Sequence, residues 1–324
     1  SEALLLLLAG LFAEKRILFV DPDASAEKQA ADLQSAQASA VLVGIGRSFD
    51  RTSSAGLPVL SRGELADDFR ESSRPRRALD VALLMPCEHG LVLHSHFSIA
   101  AMCTSLVTFI PQLRDRSYVC ALPLGCWEAL TGAFGALLHG LPIVFPTLET
   151  EGGAMLPRDR QAYTILLRRQ VDAALRRRKK PAALAGLRYM FVSTGAFDAA
   201  WRRRAEALFG QAILPVWGLP EVGPMVAPHP TWFPSSSHGL PLVNVSLVPI
   251  DPATGKVSLV PWEMLDQAEV CVETLSGMVS HANVADDAAL RVGKLFRTHQ
   301  IASIDNVGVV TLHGEPRKRA PHAS

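Results

Sequence analysis

Apolar and polar positions along this chain fall into short blocks, and the blocks change period as they go. Leu4–Phe12 reads as a helix and Arg16–Val20 as a strand, turned by Asp21-Pro22-Asp23. Ser25–Ala38 is a second helix and Ala40–Val43 a second strand. Further on, Asp80–Met85 is a short buried strand, Phe97–Phe109 a helix with an apolar face, and Tyr118–Leu122 another strand. Ala129–His139 is a helix packed by small residues and closed by Gly140, and Ile143–Phe145 is the next strand. Helix and strand alternate at the spacing of βαβ units, which predicts α/β architecture with largely parallel sheets covered on both faces. Between these blocks Arg47–Arg77 is polar, with Gly, Ser and Pro punctuation, and is expected to be a surface excursion.

Gln161–Lys180 reads as one long helix ending in Arg176-Arg177-Arg178-Lys179-Lys180 before Pro181. Cations in a last turn complement the helix dipole and proline stops the helix. A phosphate- or partner-binding patch is the alternative reading of the same run. From Val243 the pattern becomes β-rich: Val243–Val248, Lys256–Val260, Glu269–Thr274 and Val307–Leu312 are short strands, with Asp251–Gly255 a loop between two of them. The expected division is a first α/β subdomain over 1–150, a second over 151–242, a small β subdomain over 243–314, and a frayed basic tail over 315–324.

Composition narrows the picture. The 324 residues are 48% hydrophobic, enough for a large core, and the net charge of +1 gives no electrostatic argument for nucleic acid or a membrane surface. The five cysteines (Cys87, Cys103, Cys120, Cys126, Cys271) are odd in number and lack CxxC spacing, as expected of reduced thiols in an intracellular, cytoplasmic setting. Nothing reaches the length of a membrane span. The apolar run Ala3–Phe12 could mimic a signal-peptide core but has neither a basic flank nor a clear cleavage site. No GxSxG, GxxxxGK[ST] or GxGxxG is present, so hydrolase, P-loop and dinucleotide readings lack a motif.

The most informative stretch is Leu208–Pro228, LFGQAILPVWGLPEVGPMVAP. Ile213, Leu214 and Val216 are strand-like, Trp217-Gly218 ends the run, and Glu221 follows where an α/β sheet delivers side chains into the crevice at its carboxyl edge. A flat ring beside a glycine, with an acid four residues on, can stack a base and hold a cation near a phosphate. A tight turn with a solvated Glu is the plainer reading.

This segment resembles the YGxTE signature of the adenylate-forming superfamily: acyl-CoA synthetases, luciferases and the adenylation domains of peptide synthetases. Three further blocks follow the family order. Leu187–Phe197 resembles its "LR.v.sGGApl" strand and glycine turn, Tyr118–Pro146 its "lP.fH..G" block, and Leu240–Gly255 its "GrPlpgvevrIvDpeTG" block. The resemblance runs from Leu5 to Gly314 and implies a large N-terminal domain of two layered α/β subdomains plus a small β subdomain. It implies ATP-dependent, AMP-forming joining of a carboxylic acid to a thiol, with ATP or AMP and Mg²⁺ as cofactors and CoA as a possible acceptor. On this alignment Trp217 and Gly218 meet adenine, Gly195 and Ala196 allow close backbone approach, Gln300 faces the ribose, and Glu221 is both the catalytic carboxylate and the residue that holds Mg²⁺ through the phosphates. The acyl group would sit near Trp127, Ala129, Thr194 and Phe197. The chain has no initiator Met and its first block aligns mid-domain, so an N-terminally trimmed chain or a fragment is expected; the family's C-terminal swivelling domain, with its catalytic lysine, is expected to be absent.

The same alignment exposes departures. The family's phosphate loop, roughly "TSGTTGxPKG", follows the strand that is Asp80–Met85 here, yet the position reads Pro86-Cys87-Glu88-His89-Gly90-Leu91. The downstream "V..SH" element is present as Val92–His96, so the loop is shortened and its Ser, Thr and Lys are gone. Such loops hold anions with backbone N–H groups, and Glu88 would repel a polyphosphate. The Thr of YGxTE is Pro220, which lacks both hydroxyl and N–H. The ribose-binding Asp of "TGD" is the neutral Gln300 in Thr298-His299-Gln300, the His of "lP.fH" is Cys126, and the "GR" arginine is Glu315, with Arg317 close by. Adenylation by this chain is therefore expected to be weak or lost, with nucleotide, acyl or protein binding as the non-catalytic alternative. Cys87, Glu88, His89, His94 and His96 share a ten-residue window that could bind metal, though the spacing matches no zinc template. Cys126 beside Trp127 is read as a core cysteine rather than a reactive thiol.

Overall fold

The computed structural model describes residues 2–13, 15–21, 23–43, 54, 56–61, 77–88, 90–146, 161–181, 184, 186–232, 236–251, 256–258, 260, 262, 265, 267–282 and 290–314. Its largest sheet has seven strands in the order β12 (Leu240–Pro241), β11 (Gly223–Ala227), β10 (Ile213–Leu219), β9 (Leu187–Ser193), β8 (Ala162–Leu167), β6 (Ser117–Val119) and β7 (Ile143–Val144). The pairings from β10 to β7 are parallel, and β11 and β12 close one side antiparallel.

Strand alternation sends side chains of this sheet to two cores. Tyr163, Ile165, Phe191, Leu214 and Val216 pack with the helices α3 (His96–Phe109) and α4 (Trp127–Leu138). Leu166, Met190, Val192 and Ile213 pack on the other face with α5 (Arg168–Arg177) and α6 (Ala199–Phe209). This is the parallel sheet covered on both faces that the block pattern predicts.

A second sheet runs β1 (Ile17–Leu18), β4 (Val81–Cys87), β5 (Gly90–Ser95), β15 (Ser280–His281). The third is antiparallel: β13 (Val245–Ile250), β14 (Ala268–Thr274), β17 (Leu295–Ile304) and β16 (Arg291–Val292), with β18 (Val310–Gly314) also on β17. A parallel pair, β2 (Val41–Val43) and β3 (Val59–Ser61), two helices, α1 (Glu2–Phe12) and α2 (Ala26–Ser35), and a 3₁₀ turn at Pro111–Asp115 complete the described elements. The sheets do not follow linear segments. β6 and β7 share the large sheet with β8 to β12, and β15 returns from the β-rich region to the sheet of β4 and β5.

One expectation is corrected. Gln161–Lys180 is not one helix: Ala162–Leu167 is a strand, buried through Leu166, and the helix starts only at Arg168. The run AYTILL suits a buried parallel strand, and Gln170 lets the chain pass into helix without a gap, because its Oε1 accepts from Leu167 N at 3.0 Å. The polar excursion holds β3, paired with β2 in parallel; most of its other residues lie outside the described set. The basic run behaves as a helix end. Arg178 takes the left-handed cap conformation, and Lys180 Nζ donates to Phe209 O, a terminal carbonyl of α6, at 2.8 Å.

Candidate functional site

Two neighbouring strands meet at the carboxyl edge of the large sheet. β9 and β10 pair up to Val216↔Ser193, and Thr194 N continues the pairing by donating to Val216 O at 3.1 Å. The segments Thr194-Gly195-Ala196 and Trp217-Gly218 therefore leave the sheet side by side. The glycine turn is pinned twice: His238 Nε2–H donates to Gly195 O at 2.9 Å, and Arg168 Nη1 donates to Ala196 O at 2.8 Å. His238 Nδ1 accepts from Leu312 N at 3.3 Å, so the ring is the neutral Nε2–H tautomer and ties the turn to β18. Desolvation keeps that imidazole neutral, lowering its pKa to about 4.

Gln300, on β17, faces the same turn. Its Oε1 lies 3.7 Å from the point a Cβ on Gly195 would occupy. Gly195, Ala196 and Gln300, proposed from the alignment to contact a nucleotide, are thus brought to one junction between the large sheet and the antiparallel sheet. Trp217 is placed differently. Its ring is 2% exposed and belongs to the main core. Gly218 has its own packing reason: a Cβ there would sit 2.7 Å from the ring of Trp127 and 2.5 Å from Gly223 O. Trp127, Ala129 and Thr194, three of the four residues assigned to an acyl pocket, are buried as well.

Glu221 sits in the turn joining β10 to β11, and three successive carbonyls fix that turn. His94 Nε2–H donates to Pro220 O at 2.7 Å, Met278 N to Glu221 O at 2.7 Å, and Ser276 Oγ to Val222 O at 2.6 Å. Burial lowers the His94 pKa to about 4 and keeps the ring neutral; because Pro220 O can only accept, its single proton is on Nε2, and Nδ1 lies 3.2 Å from Ser98 Oγ. Glu221 is only 4% exposed, which rules out the solvated-turn reading. His281 Nε2 stands 3.8 Å from its Oε1, and ligand atoms of Cys87, Glu221 and His281 all lie within 4.8 Å of one another.

The phosphate-loop position is a hairpin. β4 and β5 pair without interruption from Met85↔Val92 through Pro86↔Leu91 to Cys87↔Gly90, leaving only Glu88 and His89 between the strands. A two-residue connection closes a ladder and leaves no stretch of loop to present a row of N–H groups to an anion. Glu88 is exposed, and His89 lies outside the described residues, as do Glu315 and Arg317.

The metal window read from sequence is not assembled as such. His94 is turned to Pro220 and His96 opens α3, so among the described residues only Cys87 of that window enters a ligand cluster. Its partners come from 134 and 194 residues further along, too far for any local spacing to reveal. Cys126 is a packed thiol, as read: burial, with the Glu128 carboxyl nearby, pushes it up to about 11. Glu128 itself is buried at the start of α4 and its pKa is raised by desolvation.

A doubly covered parallel sheet, a glycine turn and a carboxylate turn at its carboxyl edge, and an antiparallel sheet meeting that edge define an acyl-CoA synthetase-like, adenylate-forming architecture. The profile of the AMP-binding enzyme family matches residues 91–276, more than half of the chain, and the protein belongs to that family. Solved structures agree. ATP-bound MatB from Rhodopseudomonas palustris is similar over 97% of this chain and 66% of its own, with a TM-score of 0.75 and 19% identity. O-succinylbenzoate coenzyme A synthetase (MenE) from Bacillus subtilis, in complex with ATP and magnesium ion, is similar over 96% of this chain and 66% of its own, with a TM-score of 0.77 and 15% identity. At such identities the likeness establishes the fold, and the chain spans about 66% of the length of these proteins. No curated protein sequence matches. Among the described residues no helix is long and apolar enough to cross a membrane.

Proposed function

We propose that this chain is the large body of an acyl-CoA synthetase-like protein that binds an adenosine monophosphate moiety but does not grip a triphosphate, so that ATP-dependent adenylation of a carboxylic acid is weak or lost. The observation that carries the reading is the unbroken β4–β5 pairing through Cys87↔Gly90, where an ATP-using relative needs a loop of backbone donors. Positioned donors on developing charge are usually the largest catalytic contribution, about 10²–10³ in rate for each one removed. The loop lysine and the Thr replaced by Pro220 are two such groups.

Support for a surviving monophosphate site is the junction of Gly195, Ala196 and Gln300. A glycine permits close backbone approach, and beside it stands a neutral amide that can both donate to and accept from a ribose diol. A stacking role for Trp217 would require the buried ring to be uncovered when nucleotide binds. Magnesium fits poorly: a hard cation takes oxygen ligands, whereas Glu221 is flanked by a thiol and an imidazole. If the chain works within a longer acid–thiol ligase, its partners are a carboxylic acid and a thiol such as CoA. Otherwise it is a non-catalytic nucleotide-, acyl- or protein-binding member.

The test is calorimetric titration with AMP and with ATP·Mg²⁺, together with carboxylate-dependent pyrophosphate exchange. AMP binding without exchange supports the proposal. Exchange above background, or ATP·Mg²⁺ bound more tightly than AMP, overturns it.

A further inference from the structure

The geometry points to a resident transition-metal site of the zinc class formed by Cys87, Glu221 and His281. The three residues come from separate parts of the fold but meet on one face. Met85 pairs with Val92, and Val92 pairs with His281, so these three form one row across β4, β5 and β15. Side chains in register across a sheet point the same way, and every second residue shares a face. Cys87, two residues beyond Met85, therefore lies on the side of His281. Glu221 is brought to that side by a turn that His94 of β5 and the amide of Met278 hold in place.

The donor set is selective. Thiolate, imidazole and carboxylate together suit a borderline-soft divalent cation, and three protein ligands with a fourth position left open is the form of many zinc centres. Tetrahedral zinc holds its ligand atoms roughly 3.3–3.6 Å apart. The Glu221–His281 separation of 3.8 Å is close to that, and the full set lies within 4.8 Å. Glu221 and His281 are 4% and 1% exposed, so a cation there would sit in a protected environment where its charge offsets that of a buried carboxylate. Cys87 is only half-buried, at the hairpin end. Cys87 stands where ATP-using relatives carry the phosphate loop, so the shortening that removes the triphosphate grip also supplies the sulfur ligand. The metal site does not depend on nucleotide binding and can fail or stand separately from it.

The experiment uses the whole chain, stripped with a chelator, dialysed, and titrated with ZnCl₂ by calorimetry, then with CoCl₂ by absorption spectroscopy. One zinc per chain is expected, bound in preference to magnesium, with a thiolate-to-cobalt charge-transfer band. Cys87→Ser, a near-isosteric change at a half-buried position, should abolish that band and weaken zinc at least about tenfold. His281→Gln should weaken zinc likewise; if it fails to fold, the cobalt band and Cys87→Ser decide alone. No stoichiometric zinc, zinc binding unchanged in Cys87→Ser, a cobalt spectrum without the sulfur band, or magnesium displacing zinc at equal concentration would each overturn the site.

Discussion

The imidazole of His94 and the main-chain oxygen of Pro220, 126 residues apart in sequence, meet at 2.7 Å in the interior. The bond holds the carboxylate turn against the hairpin sheet and requires a proton on Nε2, while desolvation keeps the ring neutral. His238 does the same for the glycine turn through Gly195 O.

Both rings link stability to pH. Their folded pKa values, lowered to about 4 by desolvation, lie below the ordinary value of 6.5. Above pH 6.5 both are neutral folded or unfolded, and the native state keeps its full stability. Between 6.5 and 4 the unfolded chain takes up protons that the native chain refuses. Stability should therefore fall through that window, by on the order of 3 kcal/mol per histidine, and level off below it. Urea midpoints measured from pH 7.5 to 4 check this; His94→Gln should flatten the slope, and an unchanged slope would assign the effect elsewhere.

Gly239→Ala should be among the most destabilising single changes. Gly239 has φ +104°, and a Cβ there would lie 2.2 Å from Ala227 O, a backbone atom with nowhere to move. The same residue bridges to Val310, so the strain would fall on the join between the large and the antiparallel sheets. A loss of about 3 kcal/mol or more is expected, read as a drop in the thermal midpoint.

At the junction of Gly195 and Gln300, where we propose that AMP binds, two substitutions should act in opposite directions. Gly195→Ala places its Cβ in ordinary contact, 3.7 Å from Gln300 Oε1, so the fold tolerates it while the gap between the two residues is filled. AMP affinity should drop about tenfold, ~1.4 kcal/mol, with little change in the melting temperature. Gln300→Asp restores a charged acceptor for a ribose diol, whose hydrogen bonds are roughly twice as strong as neutral ones, and should tighten AMP severalfold. Calorimetry on both variants decides; equal affinity across the set would remove Gln300 from the site.

Cys120 and Cys126, each pushed up to about 11 chiefly by burial, should resist alkylation in the native protein. Roughly a hundredfold slower reaction than in urea is expected at pH 7.5, because the thiolate is the reactive form. Peptide mapping after brief iodoacetamide treatment would show it.

Much of the architecture was legible in the amino-acid order because the central parallel strands β8, β9 and β10 are largely buried and read as compact apolar runs. Ambiguity arose where such a run met a helix without punctuation. AYTILL and RRQVDAALRR are contiguous, Leu167 makes the change in one residue, and a short apolar run has no period of its own. The site was less legible. The order of motifs points to Gly195 and Gln300, which the fold brings side by side, but His238, which fixes the glycine turn, carries no motif. The grouping of Cys87 with Glu221 and His281 depends on β15 pairing with β5, a contact between distant segments that no spacing rule encodes.

That return of β15 also bears on biogenesis. A ribosome makes β4 and β5 early, but their sheet has an open edge along β5 until some 190 further residues have been translated and His281 can dock beside Val92. Long-range pairings of this kind fold slowly and leave a nascent chain with an unsatisfied edge, so chaperone demand in the cell should centre on the interval between the two syntheses.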